Sequence, residues 1–407
     1  MKKKREGQGI KEHRTPVRTL DPSNPRIPES SPSFWRDRSV FVTGHTGFKG
    51  SWLALWLTEL GARVTGYSLA PPTRPSNFEA TRLGDRLAGH YEADVRDGKR
   101  LAAALAACRP DVVFHLAAQA LVRAGYDTPR ETFEVNVIGT ASLLDAVREL
   151  KRPCAVVVVT SDKCYENREQ VWGYRESDPL GGYDPYSASK GAAELLVAAY
   201  RRSFLNPERL AQHGVRLGSA RAGNVIGGGD WGRNRIVTDA VLSLSSRQPV
   251  PVRSPGSVRP WQHVLEPLSG YMTLASTMLS SDDPKWCAAW NFGPRPDDEA
   301  TVQEVVEQFC AAWGGGRWQD RSDPQQPHEA GVLRLSIDKA VCELGWCPRW
   351  NLEQAVKRAA TWYKSYYRNP NGSMYDACRK EIADYEAARP EQAASPKPHA
   401  ACPESGA

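Results

Sequence analysis

Short apolar runs alternate with amphipathic stretches through the first half of the chain. Residues 39–43 and 63–69 form apolar runs with the length of buried strands, and residues 51–60 between them carry apolar side chains at helical spacing. Gly61 ends that helical pattern. Three more strand-like runs and one amphipathic helix continue the alternation, namely 87–95, 111–119, 153–159 and the helix 132–150. Strands that alternate with helices predict an α/β fold with a parallel sheet.

The second half of the chain loses this regular alternation. A glycine-rich turn at 221–231 follows a strand, an aromatic and basic run occupies 259–264, and a strand with its turn occupies 290–294. Apolar residues at helical spacing predict two amphipathic helices, 302–313 and 352–367. Arg, Trp and Asn side chains in this half suit a phosphorylated or aromatic ligand, although each taken singly is more often a packing residue.

Composition and charge narrow the class of protein. The 407 residues are 41% hydrophobic and 25% charged, which is ordinary for a soluble domain. Of the formal charge of +6, the first 18 residues supply +5 through seven Lys or Arg and two Glu, so the rest of the chain is nearly neutral. A nearly neutral body argues against a nucleic-acid-binding fold. The basic cluster could touch nucleic acid or an anionic membrane, but a solvated tail is the commoner structure for such residues.

The sequence has no pattern typical of a membrane span, a secretory signal, a disulfide framework or a cysteine metal site. No apolar run approaches the roughly 18 residues of a membrane span, and the charged N-terminus lacks the apolar segment of a secretory signal. The nine cysteines are scattered and odd in number, without the paired Cys-x-x-Cys spacing of a metal site. We therefore expect a reduced cytoplasmic protein with no metal, no membrane partner and no nucleic-acid partner.

A glycine-rich loop joins the first predicted strand to the first helix. Three glycines at G-x-x-G-x-x-G spacing let the backbone approach a pyrophosphate, whose charge lies at the helix N-terminus. Such a triplet is weak alone, but strand, glycine loop, helix and strand in succession favour dinucleotide binding on a Rossmann-type doubly wound parallel sheet. The residues expected to contact the dinucleotide are Gly44, Thr46, Gly47, Phe48, Lys49 and Gly50.

The ends of the next strands supply further candidate contacts. The second strand ends in 66–72 without the Asp or Glu that marks NAD, and only Arg74 could suggest the 2′-phosphate of NADP, so this loop leaves the choice open. Asp94, beside Val95, could bind an adenine amino group or cap the helix that begins at Gly98. Small residues after the fourth strand would let the cofactor lie against backbone, at Leu116, Ala117 and Ala118.

These patterns predict four parts in the chain. Residues 34–205 form the dinucleotide-binding domain, to which the chain returns around 236–265, and residues 206–370 form most of a smaller C-terminal α/β domain that binds substrate. A polar composition with five prolines predicts a disordered basic arm over 1–33. Because the end of the chain is rich in Glu, Ala and Pro, we expect residues 371–407 to be a flexible tail.

Tyr186 and Lys190 are the candidate catalytic pair. They are four residues apart, so on a helix they share one face. A lysine ammonium near a phenol lowers the pKa of the phenol from about 10, so that the phenolate can take a proton from an alcohol while a hydride leaves the same carbon. Most Tyr-x-x-x-Lys pairs are surface helix pairs, so neighbouring residues must decide between the two interpretations.

Polar residues after a buried strand favour the catalytic interpretation. Ser161, Asp162 and Lys163 follow the run 153–159, and ligands of a doubly wound sheet lie beyond the carboxyl ends of its strands. The structural alternative is that the serine or the aspartate caps a turn. Asn136, on the amphipathic helix, is costly to bury without partners, so we expect it to fix the helix or a water near the site.

Seven segments carry motifs that are familiar together: 42–53 (VTGHTGFKGSWL), 114–119 (FHLAAQ), 135–140 (VNVIGT), 160–165 (TSDKCY), 186–190 (YSASK), 221–231 (RAGNVIGGGDW) and 259–271 (RPWQHVLEPLSGY). Over about 34–367 the chain resembles the extended short-chain dehydrogenase/reductases, and within them the CDP-glucose branch of the nucleotide-sugar 4,6-dehydratases. The tyrosine and glycine motifs mark only the superfamily. The runs HTGFKG, SDK and RPWQHV resemble the CDP-glucose branch in particular.

The resemblance implies a redox-neutral dehydration of CDP-glucose with NAD as the cofactor. Tyr186, with Lys190, would take the C4 hydroxyl proton while hydride leaves C4, and Ser161 would bond the C4 oxygen. Asp162 would protonate the leaving C6 hydroxyl, and Lys163 would handle the C5 proton that the 4-ketone acidifies. The dTDP-glucose type has a glutamate where this chain has lysine, which is why this position resembles the CDP-glucose branch.

The resemblance also implies substrate contacts and an assembly. The nucleotide sugar would contact Gln119, Arg123, Asn224, Arg233, Arg259 and His263. Helices 132–150 and 186–204 resemble those that pair across family dimers, so we expect a homodimer or a tetramer. Two alternatives stay open: an epimerase or another dehydratase on the same fold, and an NAD-binding regulator without catalysis. An epimerase needs no acid at C6, and the intact catalytic side chains argue against a regulator.

Overall fold

The computed structural model describes residues 32–325 and 330–388, so nearly all of the expected N-terminal arm and the last part of the expected tail lie outside the described residues. Seven strands form one parallel sheet in the order β11-β6-β5-β4-β1-β2-β3. In chain order they are β1 Ser39–Thr43, β2 Arg63–Ser68, β3 Gly89–Glu92, β4 Val112–His115, β5 Cys154–Val159, β6 Val215–Ala222 and β11 Ala289–Phe292. The remaining strands pair two by two: β7 Val225–Ile226, β8 Val250–Val252, β9 Val258–Arg259, β10 Gln262–His263, β12 Ala300–Thr301 and β13 Trp318–Asp320.

Fourteen α-helices connect and cover these strands within the described ranges. They are α1 Pro32–Trp35, α2 Phe48–Glu59, α3 Asn77–Ala80, α4 Gly98–Cys108, α5 Val122–Asp127, α6 Pro129–Phe133, α7 Gly139–Glu149, α8 Pro185–Ser203, α9 Leu210–His213, α10 Ile236–Ser245, α11 Leu265–Ser280, α12 Val302–Trp313, α13 Leu352–Arg368 and α14 Tyr375–Ala387. A π-helical turn, Glu134–Ile138, joins α6 to α7, so the single helix expected over 132–150 is interrupted. None of the helices among the described residues combines the length and apolar character needed to cross a membrane.

The sheet has an apolar core on each of its two faces. Strands covered on both faces are apolar throughout, and the helices that cover them are apolar on one side, which accounts for the regular alternation of strands and helices in the sequence. β1 and β5 are buried at every position, as expected for parallel strands covered on both faces. On one face Leu101, Leu143 and Val197 of α4, α7 and α8 pack against the sheet. On the other face α2 and α11 join a larger core that continues into the C-terminal helices. The doubly wound Rossmann-type fold predicted from the sequence is confirmed.

The chain returns to the sheet later than the expected 236–265. Within that range α10 packs against α12, α13 and β8, which belong to the C-terminal unit. The return is made by α11, which packs on β5 and β6, and by β11, which adds the seventh strand. Because α11 is buried on nearly all sides, its sequence lacks the one-sided apolar pattern that marks a covering helix.

The flexible tail expected from 371 is wrong for α14, which is an ordered helix. Its residues Cys378, Ile382 and Tyr385 recur at helical spacing and are all buried in the larger core. The hydroxyl of Tyr385 donates to Glu266 on α11 at 2.7 Å. Six of the 13 residues of this helix are charged, and this high charge hid its narrow apolar stripe.

Candidate active site

A cavity of about 1040 Å³ opens at the carboxyl ends of the sheet strands. The ends of β1, β4, β5 and β6 supply Gly44, Leu116, Ser161 and Gly223 to its wall. Parallel strands bring their carboxyl ends to one edge, which is where ligands bind in open α/β sheets. The volume is at the upper end for a ligand pocket and suits two ligands that meet end to end.

The glycine loop at the end of β1 has the geometry of a pyrophosphate cradle. Gly44 has φ +75°, and a Cβ there would lie 2.6 Å from the backbone nitrogen of Ala117. A Cβ on Gly50 would lie 2.1 Å from the carbonyl oxygen of Gly44, so α2 can pack this close only with glycine. Gly47 precedes the first turn of α2 with no side-chain cap, so the first amide groups of that helix face the cavity. These residues fit a dinucleotide such as NAD.

The structure distinguishes between the two roles considered for Asp94, an adenine contact and a helix cap. Asp94 and Val95 both line the wall, and the Asp94 carboxylate accepts bonds from the backbone and the guanidinium of Arg96 at 2.8 and 2.6 Å. The cap of α4 is Asp97, which accepts from the amide of Arg100 at 3.0 Å, so Asp94 is not a cap. Its hydrogen bond with Arg96, together with that charge, holds the pKa of Asp94 below its usual range.

The loop after β2 is also part of the wall, and its one candidate for a 2′-phosphate contact is already paired. The guanidinium of Arg74 lies 3.4 Å from the Glu79 carboxylate. The hydroxyl of Thr46 bonds Ser68 at 2.8 Å and the carbonyl of Leu69 at 2.9 Å, which ties this loop to the glycine loop. Both side chains of this pair are exposed, so the loop itself does not distinguish NAD from NADP.

Tyr186 and Lys190 lie in the first turns of α8, and both face the cavity. Asp184 caps this helix and accepts from the amide of Ser187 at 3.0 Å. Burial raises the pKa of Tyr186 to about 12, while a hydrogen bond with Ser161 and the charge of Arg235 lower it. Burial lowers the pKa of Lys190 to about 8. The expected lowering of the Tyr186 pKa by Lys190 is therefore not met, because desolvation of the phenol is the larger effect.

Ser161, Asp162 and Lys163 form a turn at the end of β5, within the same wall. The Ser161 hydroxyl donates to Asp162 Oδ1 at 3.0 Å and accepts from the Lys163 amide at 3.2 Å, so the capping role weighed from the sequence is also present. Lys163 Nζ lies 3.9 Å from Asp162 Oδ1. Asp162 is 2% exposed, and its Oδ2 accepts no hydrogen bond from the described residues. The turn thus brings together a hydroxyl group, an ammonium group and a carboxylate with one oxygen that accepts no hydrogen bond from the described residues.

A buried ionic network behind this turn was not predicted from the sequence. The Glu194 carboxylate accepts from the Thr160 hydroxyl at 2.5 Å, the Ser219 hydroxyl at 2.8 Å and the Arg221 guanidinium at 2.8 Å. Arg221 also donates to the hydroxyl of Tyr165 at 2.8 Å. The network joins α8, which carries Tyr186 and Lys190, to β5 and β6. Its one sequence signal was Glu194 itself, an acid one helical turn beyond Lys190 on the face that meets the sheet.

Asn136 has the positioning role expected from the sequence. Its amide nitrogen donates to Ser189 on α8 at 2.8 Å and to the Gln119 carbonyl at 3.0 Å, and its oxygen accepts from the Gln119 amide at 2.8 Å. The side chain of Gln119 is itself used locally, on the Thr132 hydroxyl and the Leu121 amide. Gln119 lies in the cavity wall, but its side-chain bonds hold the loop after β4 rather than reach into the cavity.

The cavity wall contains most of the predicted substrate contacts. Arg123, Asn224, Arg233 and Arg259 all line it. The guanidinium of Arg259 donates to backbone carbonyls, including that of Val258 at 2.8 Å, so part of its bonding capacity holds the chain.

The predicted contact of His263 with the nucleotide sugar is contradicted. Its side chain is fully buried beside Trp350, with Nε2 2.9 Å from a Glu381 carboxylate oxygen, and it does not line the cavity. The partner Glu381 lies on α14, the helix that the sequence did not predict. The basic run containing His263 therefore serves packing at this position.

Arg235 is the main site residue that the sequence interpretation missed. It lines the cavity between Asp230, whose carboxylate lies 2.6 Å away, and Tyr186, whose pKa its charge lowers. Burial and the Arg235 charge lower the pKa of Lys49 to about 7, while the charge of Asp162 raises it, so Lys49 is close enough to feel the charges of Arg235 and Asp162. Arg235 is two residues from the predicted Arg233 and opens α10, a position from which it points inward. No cluster of three or more metal-ligating side chains occurs in the described ranges.

The sequence is similar to several nucleotide-sugar 4,6-dehydratases. A family model described as GDP-mannose 4,6 dehydratase matches residues 41–215. A CDP-glucose 4,6-dehydratase from Salmonella typhimurium is 50% identical over 356 residues, which is 88% of this chain and 98% of that protein. A dTDP-glucose 4,6-dehydratase from Xanthomonas campestris is 25% identical and covers 79% of this chain and 92% of its own length.

Solved structures share the fold at lower identity. A dTDP-glucose 4,6-dehydratase from Streptomyces venezuelae, solved with NAD bound, has a TM-score of 0.69 at 23% identity and covers 81% of this chain and 99% of its own. A UDP-glucose 4-epimerase from Thermotoga maritima has a TM-score of 0.68 at 22% identity, with the same coverage. At these identities the structures support the fold, whereas the 50% identity to the Salmonella protein reaches the family. The chain belongs to the CDP-glucose 4,6-dehydratase family of the extended short-chain dehydrogenase/reductases.

Proposed function

We propose that this protein is a CDP-glucose 4,6-dehydratase, which converts CDP-D-glucose to CDP-4-dehydro-6-deoxy-D-glucose and water with NAD as the bound cofactor. The observation that carries the proposal is the joint placement of the Ser161–Lys163 turn and Tyr186 at one cavity beside the glycine cradle. An elimination needs an acid and a base in addition to the redox tyrosine, and this turn offers both. The 50% identity to the Salmonella relative supports CDP-glucose as the substrate.

The first half of the reaction is the oxidation at C4. Ser161 holds the C4 oxygen by a hydrogen bond, and Tyr186 accepts the hydroxyl proton. NAD, held by the glycine loop at Gly44, Gly47 and Gly50, would supply the hydride acceptor for C4 and, once reduced, the hydride donor for C6. Arg235 and Lys190 add positive charges beside the phenol, and the burial of the Tyr186 and Lys190 side chains strengthens the effect of charge there.

The second half is the elimination across C5 and C6. The 4-ketone acidifies the C5 proton, which Lys163 removes as the base. Asp162 lies in the same turn, and its Oδ2 is free of hydrogen bonds from the described residues, so it delivers a proton to the C6 hydroxyl as water leaves. Hydride return to C6 and protonation at C5 complete a sequence with no net redox change.

The role of Lys163 is tested by isotope exchange. In deuterated water the wild-type protein should place solvent deuterium at C5 of the product, which mass spectrometry measures. Lys163→Ala should slow this exchange while C4 oxidation, followed as the absorbance of the reduced cofactor in a single turnover, still occurs. Exchange at the wild-type rate would show that Lys163 is not the base.

The substrate is tested with separate nucleotide sugars. Incubation with CDP-glucose should give the alkaline absorbance of a 4-keto sugar, with a product one water lighter by mass. Product from dTDP-glucose and none from CDP-glucose would overturn the substrate assignment. A product of unchanged mass, inverted at C4, would instead identify an epimerase.

We also propose a homodimer formed through the helices on one side of the sheet. Three large apolar side chains are exposed there: Phe133 at 38%, Ile138 at 55% and Leu195 at 60%. They lie on α6, the π-helical turn and α8, which contact one another. A second copy that covered these side chains would bury the kind of patch that monomers seldom expose. The cytoplasmic location expected from the sequence stays a prediction.

A further inference from the structure

The cavity continues beyond the catalytic turn into a pocket whose walls come from three separate elements. Asp239 lies on α10, Arg253 follows β8, and Arg123 lies in the first turn of α5, and all three line the cavity. α10 and β8 pack directly against each other. The cavity therefore has one carboxylate and two guanidinium groups in its wall that come from three separate elements.

Asp239 is held without a hydrogen-bond partner in this pocket. Its carboxylate is partly buried, and burial raises its pKa, while the charges of Arg253 and Arg123 lower it. No hydrogen bond to this carboxylate occurs within residues 32–325 and 330–388. Arg253 is oriented by Asn234, whose side-chain oxygen accepts from its guanidinium at 2.9 Å. The acid thus has two positive neighbours but keeps its oxygens available.

A carboxylate at this place suits the hydrogen-bond donors of a nucleotide sugar, which are its hydroxyl groups and the N–H groups of its base, but not its diphosphate. The diphosphate is an anion, and the positive charges of Arg233 and Arg235 suit it. Asp239 repels an anion and suits only a hydrogen-bond donor. Among pyrimidine bases, cytosine carries an amino donor at C4, whereas uracil and thymine carry a carbonyl oxygen there.

We propose that Asp239 and Arg253 select the cytosine base, with the Asp239 carboxylate accepting from the 4-amino group and the Arg253 guanidinium donating to the N3 or O2 acceptor. This inference rests on the proposed function and names the residues that determine its nucleotide specificity. A carbonyl at C4 of uracil or thymine faces the carboxylate oxygen to oxygen, and the resulting repulsion excludes these bases. Neither residue touches the reacting carbons, so both act on binding and specificity.

The proposal is tested by Asp239→Asn, because an amide can donate to a C4 carbonyl as well as accept from a C4 amino group. The ratio of kcat/KM for CDP-glucose to that for UDP-glucose should fall by about 10- to 100-fold in the variant. Titration calorimetry with CDP and UDP in place of the sugars should show the same loss of preference without any chemistry. Asp376→Asn, at a carboxylate that is 90% exposed on α14, is the matched control and should keep the wild-type ratio.

Three outcomes distinguish a failure of the proposed function from a failure of the cytosine assignment. If the wild-type protein does not turn over CDP-glucose, the proposed function fails. If it does, and Asp239→Asn weakens CDP and UDP equally, Asp239 binds a part common to both nucleotides, such as the ribose, and the cytosine proposal is wrong. Arg253→Gln is a second, independent test and should weaken the binding of CDP. An unchanged affinity for CDP would show that Arg253 does not contact the base. Thermal melting of each variant checks that the fold is retained.

Discussion

The buried ion pair between Glu194 and Arg221 gives a prediction about how the catalytic helix is held. The two side chains are 2% and 3% exposed, and the pair joins α8, which carries Tyr186 and Lys190, to β6. We expect Glu194→Gln to leave the Arg221 guanidinium buried without its counter-charge. The perturbation changes one atom type and little volume, so packing around it is preserved.

The magnitude follows from the burial of the charge that remains. Breaking a buried pair by removing one partner costs about 3–5 kcal/mol, because the other charge stays out of water. The glutamine oxygen still accepts from Thr160 or Ser219, so we place the loss for Glu194→Gln near the lower end, at about 3 kcal/mol. Adding Arg221→Met removes the stranded charge. The double variant should therefore be about 2 kcal/mol more stable than the sum of the single effects predicts.

The assay is a double-mutant cycle on the free energy of unfolding. Guanidinium titrations followed by tryptophan fluorescence, at one protein concentration, give this quantity for the wild type, both single variants and the double variant. Glu353→Gln, at an exposed position of α13, is the control and should change stability by less than about 0.5 kcal/mol. A loss below about 1 kcal/mol for Glu194→Gln, or strictly additive effects, would refute the reasoning.

Glu194→Gln should also shift the pH dependence of the reaction. Burial lowers the pKa of Lys190 to about 8, and the Glu194 charge opposes that lowering. Lys190 is charged below this pKa and neutral above it, so activity that needs its charge falls on the alkaline side. Without the Glu194 charge the pKa of Lys190 drops further, and the alkaline limb of kcat should move to lower pH. An unmoved limb would show that Glu194 acts on stability alone.

Three further predictions concern the tyrosine, the cradle and the assembly. Tyr186→Phe should lower kcat by about 10²–10⁴-fold without loss of bound cofactor, measured as 4-keto product and as nicotinamide content; normal turnover would exclude the tyrosine. Gly50→Ala puts a methyl group about 2.1 Å from the Gly44 carbonyl oxygen and should abolish cofactor binding, whereas Gly256→Ala, with nothing within 4 Å, should not. Ile138→Glu should give a monomer by light scattering, and a persistent dimer would contradict the proposed interface.

Local pattern was sufficient where a contact lies between neighbours in the chain. β1, the glycine loop and α2 follow one another, so spacing alone predicted the cradle at Gly44 and Gly50. The position of the Ser161–Lys163 turn could also be predicted, because a parallel sheet brings the ends of all its strands to one edge. The family resemblance then supplied the roles, and the 50% identity to the Salmonella relative confirmed the family.

Tertiary structure alone decided the features that depend on burial by distant parts of the chain. His263 lies in a motif that suggested a ligand contact, yet α14 and Trp350 enclose it away from the cavity. The phenol pKa of Tyr186 depends on how completely the fold excludes water, which no spacing of Tyr and Lys reveals. Asp239 and Arg253 are 14 residues apart and meet at one pocket only because α10 packs on β8. The sequence by itself determined the parallel sheet, the cradle and the position of the Ser161–Lys163 turn, because these follow from local periodicity and from the way parallel strands end at one edge. Burial and the meeting of charged groups from distant segments depend on the folded chain.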